Sequence, residues 1–185
     1  LKELDVVFPV LHGLWGEDGT IQGMLEMLQV PYVGCGVLAS SVGMDKVYAK
    51  IIFDKAGINQ TPYVYVYKKK DGYIIINENF DEEEFKLEKI TSKLKFPMFV
   101  KPSNSGSSVG VKKVESADEL KEAIEYAGRY DCKILVEQGV IGREFECAIL
   151  GEEEVIASTI GEIASAEEYY SFDAKYNIPE SKTII

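Results

Sequence analysis

The sequence has no apolar run approaching the ~18 residues of a membrane-spanning helix, and no basic segment precedes an apolar one near its start. Neither a transmembrane span nor a secretory signal is expected. Cations are in short supply: 20 lysines and arginines stand against 31 aspartates and glutamates, a formal net charge of −11. That balance argues against a nucleic-acid or anionic-membrane surface, and any bound anion must be met by local cations set against the overall field. Lys46 and Lys101 gain interest on that ground. Cysteine occurs three times, as Cys35, Cys132 and Cys147, without CxxC spacing or a histidine cluster nearby. The odd number reads as reduced, buried structural thiols of a cytoplasmic protein. No internal repeat or low-complexity tract is present. The chain begins at Leu1 without a methionine and ends inside a strand-like run, as expected of a piece of something longer. Apolar residues make up 46% and charged residues 28%, which fits a soluble globular protein with room for one or two compact units and both helix and strand patterns.

Residues 101–110, KPSNSGSSVG, directly follow the apolar run 96–100, and beyond the lysine they are mostly Ser and Gly with little side-chain bulk. A buried strand ending on Lys101 would deliver a loop of small residues. Its backbone N–H groups and hydroxyls can close around an anion, phosphate being the obvious candidate. Residues 109–114 read as a returning strand, so the loop is a hairpin tip. The string does not fit GxxxxGK[ST], and no helix start follows the glycines, so it is neither a P-loop nor a Rossmann turn. A flexible Ser/Gly hairpin loop is the alternative.

Residues 5–11 form a strand-length apolar run that delivers His12 and the group Gly16, Glu17, Asp18 and Gly19 at its carboxyl end, where α/β sheets hold ligands. Thr20 is positioned to cap the next helix, whose apolar residues are Ile21, Met24, Leu25 and Leu28, and residues 31–34 return as a short strand. This strand, helix, strand order implies a parallel sheet. His12 is either a hydrogen-bonded loop residue or a functional group, and the Glu17–Asp18 pair either serves it or caps the helix. Residues 40–43 resemble a linker. Asp45 then caps a helix stopped by Gly57, with Lys46 in its first turn. A cation there opposes the helix dipole, so it is either an ordinary solvated lysine or one directed at a partner. Residues 61–67 alternate as a strand, a charged turn leads into the run at 73–76, and residues 81–94 are amphipathic around Phe85, Ile90 and Leu94. Ser116 and Glu119 form a capping box for a helix with the stripe Leu120, Ala123, Ile124 and Ala127. Residues 134–136 make a buried strand, 145–150 and 155–158 a second hairpin, and 165–176 a long aromatic loop.

Taken jointly, these strings are specific: HG at 12–13 with GEDG at 16–19, QGMLE at 22–26, PYVG at 31–34, MDK at 44–46, KPS at 101–103 with GSSVG at 106–110, EF at 144–145, and AKY at 174–176. In order and spacing they resemble the D-alanine–D-alanine ligases of the ATP-grasp superfamily over nearly the whole chain. The resemblance implies an α/β (α+β ATP-grasp) architecture. Residues 1–44 would be the second part of an N-terminal Rossmann-like domain, 45–142 the small ATP-grasp subdomain, and 143–185 the start of the large one. The reaction implied is ATP-dependent joining of two D-alanines through an acyl phosphate, for peptidoglycan precursors.

By the same resemblance, Lys46 and Lys101 reach the nucleotide phosphates, and Ser105, Gly106, Ser107, Ser108 and Val109 cover them. Glu137, Gln138, Gly139 and Val140 meet the adenine edge through backbone, and Glu144 accepts from the ribose hydroxyls. His12 and Glu17 lie around the first D-alanine. Ser107 stands near its amine, and Tyr176, with Lys175 beside it, closes over the second substrate. The family's magnesium ligands and its arginine over the tetrahedral intermediate would fall beyond Ile185, so the fragment holds no metal site of its own and is expected not to turn over by itself. A homodimer is the usual assembly of that family. Rival readings are a D-alanyl-D-lactate ligase, which the loop tyrosine Tyr176 argues against, a non-catalytic nucleotide-binding module, and a structural α/β module. The last leaves Lys46, Lys101 and the Ser/Gly loop jointly unexplained.

Overall fold

The structure is a computed structural model that describes residues 4–164 and 182–184. The chain divides into two compact units, Leu1–Gly139 and Val140–Ile185.

In the first unit, helix α1 (Thr20–Met27) links two short extended segments that meet at a single parallel bridge, Val7 to Tyr32. The Val7 N–H donates to Pro31 O at 2.9 Å and the Val33 N–H to Val7 O at 2.9 Å. The parallel direction expected from the sequence is present, but the full strand expected over 5–11 is not. Pro9 withholds a ladder donor, and Val6, Phe8, Val10 and Leu11 are exposed. Thr20 is the first helical residue rather than the cap, which is Gly19 in the left-handed region. The group accepting the Thr20 amide is Asp18 Oδ1, at 3.0 Å. The expected linker at 40–43 lies inside helix α2 (Val37–Met44). Its serines explain this: Ser41 Oγ donates to Asp18 O at 2.8 Å and Ser40 Oγ to Cys35 O at 3.1 Å, tying the segment down. Helix α3 (Lys46–Lys55) starts on Asp45, whose carboxylate accepts the Tyr48 amide, and Gly57 follows its end at φ 72°.

The rest of the unit is a six-stranded antiparallel sheet of β1 (Tyr63–Lys69), β2 (Gly72–Ile76), β3 (Glu82–Glu84), β4 (Met98–Pro102), β5 (Lys112–Val114) and β6 (Lys133–Gln138), in the order β3-β2-β1-β6-β4-β5. Helices α4 (Leu87–Lys93) and α5 (Ala117–Ala127) cover one face. Alternation along the strands sends Val64, Val66, Ile75, Met98, Val100, Ile134 and Val136 into a core closed by Ile90, Leu120, Ala123, Ile124 and Ala127. Within the acidic half of the amphipathic segment, Glu82–Glu84 form the edge strand β3 before α4 begins. The capping box expected on α5 is not formed: Ser116 occupies the N-cap without a side-chain bond, and Glu119 accepts from Glu115 N, one residue earlier, at 2.8 Å.

The second unit contains a three-stranded antiparallel sheet, β7 (Glu144–Glu146), β10 (Gly161–Ala164) and β11 (Lys182–Ile184), in the order β11-β10-β7. It also contains a two-stranded ribbon of β8 (Ile149–Leu150) and β9 (Ile156–Ala157). The expected hairpin is therefore confined to the ribbon, because Phe145 pairs with Glu162 of β10. All three cysteines are exposed, against the expected burial, since each lies in a connection rather than at a core-facing strand position. No helix among the described residues is long and apolar enough to cross a membrane.

Leu120 is fully buried between α5 and the sheet, so Leu120→Ala should lower unfolding stability by about 2–5 kcal/mol. Urea titration followed by circular dichroism checks this. A midpoint unchanged from wild type would contradict the packing described.

Candidate nucleotide site on the sheet face opposite the core

Residues of the other strand parity line the second sheet face. Register places Glu137 opposite Tyr63 on one side and Phe99 on the other, with Lys101 opposite Leu135 one step away. Lys101 and Glu137 are thus diagonal neighbours on one face, and Lys101 Nζ lies 2.6 Å from Glu137 Oε2. From α3, Lys50 Nζ reaches Glu137 Oε1 at 2.6 Å, and Thr61 Oγ1 donates to the same oxygen. The carboxylate is 14% exposed. Burial alone would raise its pKa, but Lys101, Lys50 and the Thr61 hydroxyl outweigh this and hold it down to about 2.

The Ser/Gly loop leaves β4 two residues after Lys101 and is tied to the start of α3. Ser103, fully buried, accepts the Val47 amide on Oγ at 3.0 Å and donates to Asp45 Oδ1 at 2.5 Å. Lys133 pairs with the other Asp45 oxygen and lies over the Tyr48 ring at 4.7 Å. The Lys46 ammonium turns onto the loop, donating to Ser103 O at 3.3 Å and to Ser105 O. This position explains how a cation is tolerated in a first helical turn: the loop carbonyls offset the unfavourable dipole. The loop crest holds Ser107 and Ser108 at φ 50° and 60°, a left-handed pair that non-glycine residues adopt at some cost and that recurs at functional sites. Ser105 Oγ donates to Val109 O at 3.0 Å across the loop.

The turn after the first extended segment meets this crest. A Cβ on Gly106 would lie 2.8 Å from Gly13 Cα, so two glycines from distant positions are in backbone contact. Glu17 accepts the Gly13 amide and closes its own turn. Asp18 is also committed locally, accepting the Trp15 amide at 2.8 Å. Burial is the largest single influence on Asp18 and opposes its ionisation, but the Trp15 amide together with the Thr20 hydroxyl and amide outweigh it and lower the pKa. The acidic pair thus shapes the turn, and His12 is exposed beside it.

Of the residues singled out from sequence, Lys46, Lys101, Ser105, Gly106, Ser107, Ser108, Val109, Glu137 and the His12–Glu17 turn fall in the first unit. Gln138 and Gly139 close it, with their amides committed to Pro62 O at 2.9 Å and Pro97 O at 2.7 Å. A Cβ at 139 would lie 2.8 Å from Pro97 O, which accounts for the small residue there. Val140 and Glu144 belong to the second unit, where Glu144 is exposed on β7. Lys175 and Tyr176 lie outside the described residues. Sequence reading passed over Lys50, Thr61 and Lys133. For Lys50 a partial signal existed, since it lies four residues after Lys46 and so on the same helical face. Among the described residues, no group of three or more His, Cys, Asp or Glu side chains is arranged to hold a metal ion.

The first unit is thus a mixed α/β fold in which an antiparallel sheet carries a serine–glycine loop, with Lys46 against the loop carbonyls and Lys101 on the strand that feeds it. The comparisons name the family. A family model described as D-ala D-ala ligase C-terminus matches residues 52–185 and one described as D-ala D-ala ligase N-terminus matches residues 1–35, so the chain belongs to the D-alanine–D-alanine ligase family. It is 57% identical to the D-alanine–D-alanine ligase of Acetivibrio thermocellus over 95% of this chain and 44% of that protein. The figure is 50% for the Bacillus licheniformis ligase, over 98% of this chain and 48% of the relative. Among solved structures, the VanG D-Ala:D-Ser ligase of Enterococcus faecalis aligns with TM-score 0.78 and 37% identity, covering 97% of this chain and 49% of that one. The D-alanine–D-alanine ligase of Coxiella burnetii aligns with TM-score 0.76 and 35% identity, over 88% and 45%. The chain spans about half the length of the relatives it matches.

The lowered pKa of Glu137 has a signed consequence. Its ordinary value of 4.5 falls to about 2 in the fold, so the stabilisation is fully present above the unfolded value and is lost as pH falls through that window. Urea unfolding between pH 5 and about pH 2 should show a loss of stability that Glu137→Gln flattens; an equally steep loss in the variant would contradict it.

Proposed function

We propose that the protein carrying this chain is an ATP-dependent carboxylate–amine ligase that joins two D-alanine molecules for peptidoglycan precursors in the cytoplasm. The observation that carries the reading is a serine–glycine loop flanked by two lysines. Lys46 Nζ rests on the Ser103 and Ser105 carbonyls, and Lys101, paired with Glu137, stands on β4 two residues before the loop begins. Fixed positive charge in an acidic chain, beside a serine-rich crest, suits the polyphosphate of ATP. ATP supplies the activation of the first carboxylate as an acyl phosphate. This chain's residues bind, orient and shield: Lys46 and Lys101 on phosphate oxygens, the 105–109 crest over them, and Glu137 to Val140 at the base edge, with Glu144 on the ribose. His12, Glu17 and Ser107 face the first D-alanine, and Lys175 and Tyr176 the second. Magnesium, which would offset phosphate charge and whose ligands the resemblance places beyond Ile185, and a homodimeric assembly complete the reading. The identities support D-alanine as the second substrate, and the resemblance to a D-Ala:D-Ser ligase makes the second amino acid the variable to assay.

The full-length protein supplied with ATP, magnesium and D-alanine should release phosphate and form D-alanyl-D-alanine, with less product from D-serine or D-lactate. A D-alanyl-D-lactate product from D-lactate at an equal rate would overturn the substrate assignment. Lys101→Ala should weaken nucleotide binding by roughly tenfold or more, the effect of losing one charge-assisted bond. Unchanged affinity by calorimetry would remove Lys101 from the phosphate site.

A further inference from the structure

We propose that Lys50 and Thr61 are positioning residues: they hold Glu137 as a permanently balanced counter-charge, so that Lys101 can move from that carboxylate to a nucleotide phosphate without leaving a buried anion unpaired. The inference rests on the reading of Lys101 as a phosphate ligand.

The two lysines on Glu137 are not equivalent. Lys50 is 12% exposed and, besides Glu137 Oε1 at 2.6 Å, donates to Thr61 Oγ1 at 3.3 Å and Thr61 O at 3.4 Å, with the Tyr63 ring 5.0 Å away. Its three ammonium protons have three acceptors, so it is fixed. Lys101 is 26% exposed, binds Glu137 Oε2 at 2.6 Å and lies 5.5 Å from the Phe99 ring. It is the more accessible of the pair and stands on β4 two residues before the loop.

The charge count gives this asymmetry its use. A buried carboxylate held by one lysine alone would bind it tightly, and a phosphate would have to outcompete that pair and strand the anion. With two cations on one carboxylate, the site carries a surplus positive charge. Lys101 can swing to phosphate while Oε1 keeps both Lys50 and the Thr61 hydroxyl. No covalent step is involved; one ion pair is exchanged for another.

Titration of the full-length protein with ADP tests the exchange. Lys50→Met should weaken binding about tenfold, because Lys101 is then the sole cation on Glu137 and resists leaving. Lys50→Arg should restore most of the affinity, and Thr61→Val should lose about threefold, the effect of one hydrogen bond. The loss from Lys50→Met should vanish in a Glu137→Gln background, where no anion needs balancing; a purely structural role for Lys50 would persist there. Wild-type affinity in both Lys50→Met and Thr61→Val, or a Lys50→Met loss of equal size with and without Glu137→Gln, overturns the proposal. Lys101→Ala in the same titration separates the two readings. If it weakens ADP while Lys50→Met does not, the phosphate site stands and the exchange is wrong; if Lys101→Ala binds as wild type, the phosphate reading itself falls.

Discussion

A single carboxylate held by two lysines is the constraint on which the second face of the sheet depends. Glu137 sits on the central strand β6, and its two oxygens fasten α3 through Lys50 and the adjoining strand β4 through Lys101. An ionised group this enclosed persists only where its lone pairs are met. The position of α3 against the sheet and the position of the loop-bearing strand are therefore set by the same charge.

The second fastening joins an ion pair to a serine hydroxyl and lies closer to the loop. Ser103, Asp45 and Lys133 form a chain of bonds in which every polar atom named has a partner, which is what allows a serine and an aspartate to be buried. Because Asp45 is also the helix cap, the loop's root and the helix's first turn cannot move independently. Lys46 is aimed at the loop as a consequence of where its helix begins. A lysine that looked misplaced against the helix dipole becomes a group whose direction is fixed by backbone.

The glycines act where two such backbones meet. Gly13 and Gly106 come from segments more than ninety positions apart in the chain, and the 2.8 Å approach at 106 leaves no room for a side chain. Glu17 and Asp18 serve this contact indirectly, by closing the turn that presents Gly13. Their chemistry is spent locally, on amides, which distinguishes the acidic pair from the lysines.

Some of this was legible in the order of residues. The alternation in 63–67, the apolar stripe of α5, the Asp45 cap and the Gly57 stop each follow from local periodicity or backbone preference, and short-range physics is enough to produce them. The Ser/Gly loop and its two lysines stood out for similar reasons, as small residues and cations against an acidic background. The truncated pairing at Val7, the helix through 37–44 and the exposure of the cysteines were decided by tertiary partners that local pattern does not encode. The same is true of the junction on Glu137: Lys50, Thr61 and Lys101 are separated by up to fifty-one positions, and only the strand order β1-β6-β4 brings them onto one carboxylate. Sequence determined which residues carry charge and where an element with a clear local signal, such as α3, starts and stops; the register of an antiparallel sheet, which alternates faces at every residue, determined which of those charges meet.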